Sequence, residues 1–82
     1  MDIDGKTPDG AAYRITVEVD GEARAARVPD ALLSAEYGRD ATVSHQEAYE
    51  WIASNAHAIT DAVAATLAGR TPRAPYDQIT LA

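Results

Sequence analysis

With 82 residues the chain is long enough for one domain, at a size where a single core supplies about 4 to 12 kcal/mol and a partner adds much. A formal charge of −6 and a pI near 4.6 repel phosphate backbones and anionic lipid surfaces, so neither nucleic acid nor membrane is an expected partner. The absence of cysteine rules out disulfides, thiolate nucleophiles and sulfur-rich zinc sites.

The hydrophobic share of 46% includes 18 alanines and no phenylalanine. Alanine favours helix but buries little area, which predicts a thin, closely approached core. Residues 1–12, with Gly5, Pro8 and Gly10, read as a flexible N-terminal arm. From Tyr13 the chain alternates, with Tyr13, Ile15, Val17 and Val19 on one face and Arg14, Thr16, Glu18 and Asp20 on the other, the signature of a half-buried strand. Asp20-Gly21 supplies a type I′ hairpin turn, and the return strand runs to Val28. A two-residue loop fixes the register: Val19 opposite Glu22, Val17 opposite Arg24, Ile15 opposite Ala26 and Tyr13 opposite Val28. It also sets Arg14 against Arg27 on the outer face, a like-charge pair that Asp30, the arm, solvent or a bound anion must screen.

Pro29-Asp30 signals a helix start, with Asp30 as cap, Leu32 and Leu33 inward and Gly38 as the stop. A connection over 39–43 follows. Ser44 with Glu47 then forms a capping box, with Val43 stapled onto Ala48. The spacing predicts one helix of about 24 residues ending at Gly69, its apolar face carrying Ala48, Trp51, Ile52, Asn55, Ile59, Val63 and Leu67. After a proline-punctuated crossover with Arg70 and Arg73, residues 76–81 alternate again and read as a last strand. The expected fold is α+β in two layers, a single domain over 1–82 in ββααβ order, with a three-stranded, mainly antiparallel sheet packed by one long and one short helix.

The run Gly21 to Leu81 carries Val28-Pro29-Asp30-Ala31-Leu32-Leu33, then Glu47-Ala48-Tyr49-Glu50-Trp51-Ile52, Asn55, Ile59 and Ile79-Thr80-Leu81. It resembles the small bacterial proteins grouped as domain of unknown function 1488. The resemblance covers most of the chain and implies a compact α+β fold without an assigned activity. Those proteins often carry a basic residue directly after the position of Asn55, where this chain has Ala56.

No catalytic constellation is visible, and no cofactor or metal is expected. His45 and His57 lie about 18 Å apart along a helix, too far to share a metal or a proton. Asp2-Ile3-Asp4-Gly5 resembles the start of a calcium loop, but Tyr13 stands where the bidentate glutamate belongs. Glu47 and Glu50 read as a solvated helix face. No run of 18 apolar residues occurs and Met1-Asp2-Ile3-Asp4 is acidic, which points to a cytoplasmic protein.

Asn55 lies in the middle of the apolar stripe, where an unsatisfied amide costs about 1 to 3 kcal/mol. It therefore bonds the backbone of the 39–43 connection or the sheet edge, or else it lies in a groove or subunit boundary with Trp51 as the aromatic anchor. The leading functional expectation is a non-catalytic protein-interaction module, a homodimer using the Trp51 side of the helix or an open strand edge. The alternative is an anion- or ligand-binding domain using Arg14, Arg27 and Arg24 on the outer sheet face.

Overall fold

The computed structural model of the protein describes residues 1–38 and 43–82, so the expected connection lies mostly outside the described residues. Among these the elements are β1 (Asp2–Lys6), β2 (Ala12–Val19), β3 (Glu22–Pro29), α1 (Asp30–Glu36), α2 (His45–Ser54), α3 (Ala56–Leu67), a 3-10 turn (Tyr76–Gln78) and β4 (Thr80–Leu81). The sheet is antiparallel, with strands in the order β1-β2-β3-β4.

The hairpin forms as its sequence requires. Asp20 (φ 52°) and Gly21 (φ 80°) both take the left-handed conformation of a type I′ turn. The β2–β3 register pairs Val19 with Glu22, Val17 with Arg24, Ile15 with Ala26, Arg14 with Arg27 and Tyr13 with Val28. Tyr13, Ile15, Val17, Ala26 and Val28 are buried, forming the sheet's side of the core.

Four expectations need correction. The N-terminal arm supplies a fourth strand: Asp2–Lys6 pairs with β2, Ile3 opposite Ile15 and Lys6 opposite Tyr13. One apolar residue gives no alternation to read, so this strand depends on tertiary contacts. Ile3 packs on the core and Lys6 forms an ion pair with Asp30. Asp30, expected to cap α1, is instead its first residue behind Pro29, and no side chain caps that helix.

The long helix is two helices. At Asn55 the backbone leaves the helical well (φ −108°, ψ 16°), ending α2 and starting α3. The Asn55 side-chain amide donates to the Trp51 carbonyl (2.8 Å), which also accepts from the Asn55 backbone N–H (3.0 Å). Back-bonding of this kind often bends a helix, though Thr60 and Thr66 make the same bond, to Ala56 and Ala62, within an unbroken α3. Helical periodicity registers only that the stripe of apolar positions continues, so it misses the break.

The last segment also departs from the expected strand. Tyr76–Gln78 forms a 3-10 turn, and only Thr80–Leu81 pairs, with Arg27 and Ala26 respectively. Tyr76 turns its ring toward Trp51, with centroids 6.2 Å apart, instead of joining the ladder.

The helices meet one face of the sheet through small and branched side chains. Ala48, Ile52, Ile59, Ala62 and Val63 are buried, as are Leu32 and Leu33 of α1. Val43 and Ala48 share this core, consistent with the staple, and the Ser44–Glu47 capping box is complete. At the far end Gly69 (φ 78°) closes α3: Arg70 N–H donates to Ala65 O (2.8 Å) and Gly69 N–H to Thr66 O (3.1 Å). These two bonds define a Schellman motif, and they throw the following arginine-bearing segment back across α3.

Candidate interaction surface

The returning segment and α3 enclose an open groove of about 380 Å³. Ala58, Ala62 and Ala65 line it from one helix face, Tyr76 from the opposite wall, and Asp61, Arg70 and Arg73 also line it. Alanine at 58, 62 and 65 follows the i, i+4, i+7 spacing of one face, so the helix backbone can be approached closely there. Neither Arg70 nor Arg73 has an ion-pair partner among the described residues. Asp61 lies 3.4 Å from the highly exposed His57.

Trp51 and Asn55, the expected interaction residues, stand together behind this groove. Asn55 Oδ1 accepts from the Tyr76 hydroxyl (2.9 Å), while its Nδ2 serves the Trp51 carbonyl. Its amide is therefore satisfied by Tyr76 and Trp51, not by a strand edge. Trp51 is half-buried, its ring tilted 31° to that of Tyr76. Instead of presenting themselves as the anchor, the two residues hold Tyr76, which forms the groove's wall.

The sheet edges are only partly blunted: β4 covers β3 at Ala26 and Arg27, leaving the Glu22–Arg24 stretch of β3 without a partner strand on that side among the described residues. β1 carries Asp2 and Asp4 and bulges between Ile3 and Gly5, and β4 is two residues long. The charges and bulge of β1 discourage strand addition at its edge.

The three arginines expected to act together are divided. Arg14 and Arg27 face each other on the outer side of the sheet, both exposed. Arg24 pairs with the buried Val17, so it shares the helix-facing side of the sheet, where it is ion-paired with Glu22 (2.7 Å). A cross-strand partner always shares a face, so the register already implied this separation.

A polar cluster that no motif announced lies between β1, β2 and α2. Tyr13, 1% exposed, has its hydroxyl 2.7 Å from His45 Nδ1, and its ring meets His45 and Tyr49 edge-on. Lys6 Nζ lies 5.2 Å from the Tyr13 ring centroid, donates to Gly10 O (3.1 Å) and pairs with Asp30. The bond to Asp30 holds the Lys6 ammonium above its usual pKa, and burial pushes the Tyr13 phenol up. Asp30 Oδ1 is buried without a hydrogen-bond partner. The signal for this cluster was the position of His45 at the start of α2, opposite the Tyr13 end of the strand. Packing of α2 on β2 was needed to bring them together.

Among the described residues, no group of three or more His, Asp or Glu side chains converges as a metal site, and no helix is long and apolar enough to cross a membrane. Comparison with family models, curated proteins and solved structures found no match. The resemblance to domain of unknown function 1488 therefore rests on the residues quoted for it.

Proposed function

We propose that this protein is a non-catalytic interaction module that pairs with a second copy of itself through the groove beside α3. The observation that carries the reading is the composition of that groove: small residues at 58, 62 and 65, and a lining of both signs, with Asp61 on α3 and Arg70 and Arg73 on the returning segment. In a twofold pair each copy presents the same patch, so the patch must complement itself. Asp61 of one copy against the arginines of the other satisfies that requirement, and alanines let the two α3 helices approach closely.

A stable interface hides about 800 Å² per copy, a modest part of the 4816 Å² that this chain exposes. The gain in buried area suits a small domain with an alanine-rich core. The resemblance to domain of unknown function 1488 supports the α+β frame and carries no activity.

Sedimentation equilibrium from micromolar to millimolar protein tests the proposal. The mass is expected to rise from 8.7 kDa toward twice that value, with Ala65→Arg abolishing the rise while leaving the circular dichroism unchanged. A wild-type mass that stays at the single-chain value throughout this range would rule out self-association.

A further inference from the structure

The outer face of the sheet, opposite the groove, carries a second feature. In a two-residue hairpin the pair flanking the turn is hydrogen-bonded and the pairs then alternate, so Arg14 and Arg27, five pairs out from Val19 and Glu22, form a non-hydrogen-bonded pair. Cross-strand side chains come closest in such pairs. Along the same row Gly5 stands opposite Arg14 and Thr80 opposite Arg27. A Cβ at Gly5 would meet nothing within 4 Å, so the flank of Arg14 is open. Turn 7–12 closes the other side, held by Thr7 N–H to Ala12 O (2.9 Å), by the Thr7 hydroxyl to Asp9 and by Ala11 N–H to Asp9 Oδ1 (3.0 Å). The result is a cleft of about 320 Å³ lined by Thr7, Pro8, Asp9, Ala12, Arg14 and Arg27. Neither guanidinium has a hydrogen-bond or ion-pair partner among the described residues.

We propose that this cleft binds the phosphate group of a small molecule, the two guanidiniums closing on its oxygens from adjacent strands. Arginine forks match phosphate geometry, and a bound dianion removes the repulsion that the register imposes. Asp9 is the opposing charge. Its carboxyl is held below its ordinary pKa, first by the Thr7 hydroxyl and then by the Ala11 N–H, with Arg27 contributing, so it stays ionised and weakens anion binding at neutral pH. Arg24 lies on the other face and takes no part.

Titration of amide NMR spectra with inorganic phosphate and with glycerol 3-phosphate, at constant ionic strength, tests the proposal. Saturable shifts are expected in residues 5–14 and 27–28. Arg14→Gln and Arg27→Gln should each weaken binding about tenfold or more, the loss of one charge-assisted contact, with spectral dispersion reporting that both remain folded. Arg24→Gln should leave affinity unchanged and Asp9→Asn should tighten it. A preference for the ester over inorganic phosphate would add contact with Pro8 and Ala12 to the site. Absence of saturation by tens of millimolar of either probe, equal weakening by Arg24→Gln, or shifts centred on Arg70 and Arg73 would each overturn it.

Discussion

Tyr13 joins two roles in one side chain: its ring fills the core under α2 while its hydroxyl meets His45 Nδ1. Burial raises the phenol above its ordinary value of 10.0, and the bond to Asp30 raises Lys6 above 10.5. A group with a raised folded-state pKa contributes fully below its unfolded value, and the contribution is lost as pH rises through the folded one. Stability is therefore expected to fall above about pH 10, where the unfolded chain begins to release these protons. In Tyr13→Phe the phenol no longer ionises, so the alkaline decline should become shallower, at a cost near neutrality of about 0.5 to 1.5 kcal/mol for the lost hydrogen bond. Urea midpoints measured across neutral and alkaline pH check this, and an unchanged alkaline slope in the variant would refute the assignment to Tyr13. The core position of Tyr13 was legible from strand alternation. Its polar partner was not, because His45 lies 32 residues away and reaches it only through packing.

At the level of elements, the hairpin and the helix break contrast. The hairpin depends on alternation and on a turn whose two residues both need positive φ, information carried within a few residues, so its register could be derived in full. Gly21→Ala keeps ample space but forces a side chain into the left-handed well, and should cost about 1 to 2 kcal/mol in thermal or urea unfolding. At the break Asn55 is held from two sides: its Nδ2 donates to the Trp51 carbonyl within the turn, and its Oδ1 accepts from the hydroxyl of Tyr76, 21 residues on. Asn55→Ala removes both of its side-chain hydrogen bonds and frees Tyr76 from α2. The expected outcome is a loss of about 1 to 3 kcal/mol together with stronger acrylamide quenching of Trp51, the only tryptophan. Unaltered quenching would separate Trp51 from this latch. Ser44→Ala, by contrast, should cost about 1 kcal/mol by removing the capping box, with quenching unchanged.

For the whole molecule, the two-layer arrangement leaves a mixed-charge groove on the helical side and an arginine pair on the bare side of the sheet. If two copies meet through the groove, Asp61→Arg and Arg73→Asp should each reduce dimer formation, and the double variant should recover it, since exchanging both signs preserves complementarity. Sedimentation of the three variants reads this directly; a double variant no better than either single one would place the contact elsewhere. Sequence alone determined the hairpin, its register, the capping box and most of the inward helix positions, Leu67 being an exception at 39% exposed, because each follows from the conformational needs of neighbouring residues and from periodic burial. Only the tertiary structure decided that the first residues form a strand, that the long helix divides and that Trp51 and Asn55 brace Tyr76. Those outcomes depend on hydrogen bonds and ion pairs between distant segments, whose energies come into play only once the chain has packed.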